Sequence, residues 1–117
     1  MKTLIVCIST HHGNTEKIAR VIAKVLEADI LKPEEVDIGK ISGYDLVGFG
    51  SGIYGWKHHR TLFDLIDRLS NADGKKAFVF STSGGGKAEL NEPLRKKLLE
   101  KNFTIVGDFS CKGFITW

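Results

Sequence analysis

The sequence predicts an α/β domain, a doubly wound open parallel sheet of five strands in the order 2-1-3-4-5 with helices on both faces. Three observations carry that expectation. Short apolar, partly β-branched runs alternate with stretches whose apolar residues recur at helical spacing. The first run, Thr3 to Ile8 (TLIVCI), is apolar throughout, as a strand buried on both faces must be. Loops rich in Gly, Ser, Thr and His follow the first, third and fourth strands, at the carboxyl edge where an open parallel sheet binds ligands around its switch point.

The elements follow in order. After the first strand comes a Ser-Thr-His-His-Gly-Asn-Thr loop, and from Thr15 the residues Ile18, Ala19, Ile22, Val25 and Leu26 give a helix one apolar stripe. Ala28 to Leu31 forms a short second strand, and Lys32 to Gly43 is just long enough for a parallel crossover. Asp45 to Gly50 is the third strand, followed by a Gly-rich aromatic loop from Ser51 to His59 and a helix carrying Leu62, Phe63, Leu65, Ile66 and Leu69. Lys76 to Ser81 is the fourth strand. Ala88 to Lys101 is a helix with Leu90, Leu94, Leu98 and Leu99 inward and Pro93 in its first turn, where proline is tolerated. Phe103 to Phe109 completes the sheet.

With 117 residues, 42% hydrophobic and 26% charged, the chain is expected to fold as one domain over residues 1–117. It contains no run of the ~20 apolar residues that cross a bilayer, and its first ten residues make a poor signal peptide, so a soluble, cytoplasmic protein is expected. Cys7 and Cys111 are read as reduced thiols, Cys7 in the core. The net charge of +3 is spread among acids instead of gathered in a stripe, which disfavours nucleic acid as a partner.

Thr10, His11, His12, Gly13, Asn14 and Thr15 join the first strand to a helix N-terminus, whose unpaired amides and partial positive charge suit a phosphate. The loop has neither the GK[ST] of a nucleoside triphosphatase nor the GxGxxG of a dinucleotide fold, so a terminal monophosphate suits it better; an ordinary capped turn is the plainer reading. Ser51, Gly52, Ile53, Tyr54, Gly55 and Trp56 put two large aromatics on the same edge, where they stack on a flat ligand or plug the helix beneath. Ser81, Thr82, Ser83, Gly84, Gly85 and Gly86 offer amide donors or a flexible connector. The pairs His11-His12 and His58-His59 are read as partly solvated loop residues. No carboxylate or cysteine completes a metal set with them, so no metal is assigned, though a protonated His11 or His12 would add charge toward a phosphate.

The apolar strand, Thr10, Gly13, Thr15 and Ala19 resemble the N-terminal signature of the flavodoxin family, with Ile8 where that family usually has an aromatic. The likeness covers essentially the whole chain. It implies a flavodoxin-like fold with bound FMN, the first loop around the phosphate, Tyr54 stacked on the flavin, the Gly55 carbonyl turning toward N5 as a protonated semiquinone forms, and residues 81–86 at the pyrimidine end and ribityl chain. The function implied is electron transfer between oxidised, semiquinone and hydroquinone flavin, serving redox partner proteins, with no catalytic residue of its own. Two alternatives stand beside it: a quinone-dependent oxidoreductase of the protoporphyrinogen oxidase type, whose loop is similar to Gly52 to Arg60, and a flavin-free interaction domain. The family pattern continues past Gly113 to Trp117 into a further loop and a last helix. Without that helix, apolar surface should be exposed around the fourth and fifth strands, to be covered by another copy in a homodimer, by a partner or by a further segment.

Overall fold

Apolar runs become central strands and the amphipathic stretches lie across them. The computed structural model describes residues 2–8, 14–54, 57–83 and 91–112; the side chains of residues 14, 54, 57, 83, 111 and 112 lie outside that description. In chain order the elements are β1 (Thr3–Ile8), α1 (Asn14–Leu26), β2 (Asp29–Leu31), β3 (Leu46–Tyr54), β4 (Lys57–His58), α2 (Arg60–Arg68), β5 (Lys76–Ser83), α3 (Glu92–Glu100) and β6 (Thr104–Lys112). Two 3-10 turns, Pro33–Glu35 and Ile38–Gly43, make up the crossover from β2 to β3.

The sheet runs β2-β1-β3-β5-β6, all parallel, which is the expected order with one addition: the two-residue β4 folds back antiparallel on the end of β3. Here the structure corrects the sequence reading, since residues 51–54 extend β3 and are not loop. Ser51 and Gly52 sit in register with Ser81 and Thr82 of β5, so the strand continues as long as its neighbour does.

Alternate residues feed two cores. Leu4, Val6, Val47, Phe49, Ala77 and Val79 face α2 and α3, where they meet Leu62, Leu65, Ile66, Leu94 and Leu98. Ile5, Cys7, Phe78 and Phe80 face α1 and pack with Ile18, Ala19 and Ala23. The glycines of β3 lie on this second face. A Cβ at Gly48 would stand 2.1 Å from the Phe78 ring, and one at Gly50 2.1 Å from the Phe80 ring. The two rings therefore lie flat over β3, and Phe80 stacks onward against Phe109 with centroids 5.8 Å apart.

Two predicted stripes need adjustment. Val25, 77% exposed, faces solvent in the last turn of α1, where Leu26 is 37% exposed as well. Leu99, 49% exposed, turns outward because Leu94 and Leu98, four apart, already define the inward face of α3. Leu90 lies outside the described residues, as does the predicted start of this helix.

The α1 face of the sheet is left partly uncovered at β6, where Phe109 is 37% exposed. The pairing of β5 with β6 slips after Ala77, leaving Val106 as a bulge that is 53% exposed. Val106, Gly107, Phe109, Phe78, Ile22 and Leu26 line an apolar groove of about 260 Å³. No helix of the described residues is long and apolar enough to cross a membrane.

Candidate functional site

Parallel register aligns the strand ends. Ile8, Ser51, Ser81 and Ser110 stand on one rung, and Gly52, Thr82 and Cys111 on the next. The apolar core stops here and hydroxyls take over: Ser51 and Ser81 are buried, and the Ser81 hydroxyl donates to the Ser110 hydroxyl at 3.1 Å. Thr10, His11, His12, Gly13, Gly55, Trp56, Gly84, Gly85 and Gly86 lie outside the described residues.

What is described draws the three predicted segments together. Thr15, in the first turn of α1, is buried, and its hydroxyl lies 2.8 Å from that of Thr82 near the end of β5. That bond places the helix N-terminus, with its unpaired amides and positive dipole end, beside the first residues of the predicted third segment. The hairpin that brings Tyr54 to this edge is fastened twice. The Ser51 hydroxyl accepts the His59 amide at 2.9 Å while donating to the Gly52 carbonyl at 2.6 Å. The ring of His59 then serves α2: its Nδ1 accepts the Thr61 amide at 3.2 Å and caps the helix.

His58 corrects the sequence reading, which took it for a solvated loop residue. It is 1% exposed, and its Nε2 lies 2.8 Å from the Phe80 carbonyl oxygen. Burial pushes its pKa down from 6.5 to about 4, against the smaller opposing pull of that carbonyl, so the ring is neutral at ordinary pH. A carbonyl only accepts, hence Nε2 carries the proton and Nδ1 is bare; Nδ1 is buried with no hydrogen-bond partner among the described residues. Asn91 was also missed. It is buried at the start of α3, and its Nδ2 donates to the Phe109 carbonyl at 3.0 Å, the register partner of Phe80. A usable signal existed for His58: Gly55-Trp56, two residues with glycine first between Ile53-Tyr54 and Lys57-His58, is hairpin chemistry.

Cys7 lies in the core as predicted, unbridged, with burial and then Glu16 raising its thiol pKa to about 12, which makes it inert. A cavity of about 440 Å³ opens on the other side of β1, lined by Ile8, Glu16, Arg20, Leu31, Lys32 and Glu35 among others. Three of its rim charges are engaged: Arg20 pairs with Glu16 at 2.6 Å, and the Glu35 carboxylate accepts the Lys32 amide at 2.8 Å. The hydroxyls and the helix N-terminus converge instead where β1, β3 and β5 end, and the site belongs there.

A five-stranded parallel sheet in this order, with its polar site across the ends of those strands, defines a flavodoxin-like fold. A flavodoxin from the domain Archaea superimposes with a TM-score of 0.80 at 22% identity, over 96% of this chain and 85% of that one. The two-electron reduced flavodoxin of Megasphaera elsdenii gives 0.78 at 18% identity, over 97% and 88%. The flavodiiron protein of Giardia intestinalis gives 0.75 at 18%, over 97% of this chain but 31% of that one. The sequence profile described as Flavodoxin domain matches residues 5–113. An uncharacterized protein of Methanocaldococcus jannaschii is 50% identical over 119 residues, spanning all of this chain and 79% of the relative. The chain belongs to the flavodoxin domain family.

Proposed function

We propose that the chain holds FMN across the ends of β1, β3 and β5 and works as an electron carrier for redox partner proteins. The observation that carries this reading is the Thr15–Thr82 hydroxyl contact, which joins the N-terminus of α1 to the end of β5 over a buried, hydroxyl-lined rung. The donor set fits a phosphorylated, flat, largely apolar ligand. First-turn amides of α1 and the Thr15 hydroxyl would hold the phosphate. The Thr82 hydroxyl and the backbone at the ends of β3 and β5 would border the polar edge of the ring.

Bound there, the isoalloxazine supplies the electron-accepting and electron-donating chemistry, and the protein sets its potential through contacts and burial. The chain's own contribution is positional. Thr15 and Thr82 keep helix and strand at one spacing, and Ser51 and His58 hold the hairpin over the edge. Among the described residues no activated nucleophile stands at this edge, and the thiol of Cys7 is buried and protonated.

Quenching of flavin fluorescence tests the reading. FMN should bind more tightly than riboflavin, which lacks the phosphate, by at least about tenfold, or about 1.4 kcal/mol. Equal affinities would remove the phosphate subsite at α1, and with it the reading.

A further inference from the structure

The antiparallel pairing of β3 with β4 covers only two rungs, Ile53 with His58 and Tyr54 with Lys57. So short a hairpin does not hold itself in water. Its inner rung hangs from the sheet by the His58 imidazole, which crosses to the adjacent strand β5 and donates through Nε2 to the Phe80 carbonyl at 2.8 Å. Phe80 lies one rung below Ser51 and Ser81, and two below Gly52 and Thr82, so the anchor sits just under the proposed site.

An imidazole is a demanding choice here. It buries two ring nitrogens and satisfies one, with Nδ1 left bare among the described residues. A leucine or phenylalanine of similar size would bring no unpaired acceptor of its own. What an apolar residue would lack is a directional bond to one carbonyl, and that bond ties the short β3–β4 pairing to β5.

We infer that His58 is a positioning residue of the flavin site: hung from the Phe80 carbonyl, it sets the height and tilt of the hairpin whose outer rung carries Tyr54. This rests on the flavin reading above. His58 touches no flavin in this account and acts through the hairpin, by a hydrogen bond that either a histidine or a glutamine side chain can donate.

Three forms of the full chain test it: wild type, His58→Phe and His58→Gln. In flavin-free protein, amide hydrogen exchange at Ile53 and His58 should quicken about tenfold in His58→Phe and less in His58→Gln. With saturating FMN, the visible absorption bands and midpoint potentials should shift in His58→Phe and return toward wild type in His58→Gln, a rescue that mere loss of stability would not produce. Unchanged exchange in His58→Phe, or bound flavin with wild-type bands and potentials in that variant, would overturn the positioning role and leave the flavin reading standing. Wild-type protein that takes up no FMN would overturn the flavin reading itself, whatever the exchange rates. If His58→Phe does not fold, His58→Gln decides alone: wild-type-like exchange, bands and potentials support the role, and displaced ones overturn it.

Discussion

At single residues the structure makes predictions that come from hydroxyls and one imidazole at the strand ends. The unfolded chain takes up a proton on His58 near pH 6.5, whereas the folded chain holds off until about pH 4. Stability therefore falls as pH drops through that window, by about 1.4 kcal/mol per unit and about 3 kcal/mol in all, and His58 takes nothing further below it. Urea denaturation of wild type and His58→Gln at several pH values reads this directly: the wild-type curve should be the steeper, and parallel curves would exclude a buried neutral ring. A second substitution probes the hydroxyl pair. Thr82→Val leaves the buried Thr15 hydroxyl without its partner, which should cost about 1 kcal/mol in denaturation and weaken FMN binding more than riboflavin binding.

Within elements the informative case is β3. Gly48 and Gly50 read as part of a strand over 45–50, whereas Gly52 and the residues up to 54 read as a loop, because glycine weakens an isolated strand. The reason for Gly48 and Gly50 lies about thirty residues away, in Phe78 and Phe80, whose rings occupy the space that side chains at 48 and 50 would fill. Local pattern was enough for the five parallel strands and the two inward leucines of α3, but not for the last residues of β3, whose ladder partners Ser81 and Thr82 lie on another strand. The same blind spot hid His58, since its partner is a backbone carbonyl on another strand. Gly50→Ala should destabilise the protein by about 2 kcal/mol through overpacking against Phe80, measured by chemical denaturation. Gly43→Ala is the control: a Cβ there meets nothing within 4 Å, and its effect should stay within about 0.5 kcal/mol.

Over the whole molecule, sheet order was legible because alternating runs and right-handed crossovers leave few topologies. The convergence of Thr15, Ser51 and Thr82 on one edge was legible for the same reason. Beside α1 the described residues leave an apolar groove, with Val106 exposed along it. That groove predicts binding of an apolar fluorescent dye by native protein, with Val106→Lys lowering the signal at little cost in stability. A dye response unaffected by that substitution would place the sticky surface elsewhere.

The central claim is that the ends of β1, β3 and β5 grip a phosphorylated flavin. Titration of the purified chain with FMN, followed by visible absorption through stepwise reduction, tests it most directly. The account predicts a resolved, shifted flavin spectrum saturating at a dissociation constant of about 1 µM or below, with reduction potentials displaced from those of free FMN. A spectrum and potentials identical to free FMN at every protein concentration would contradict it.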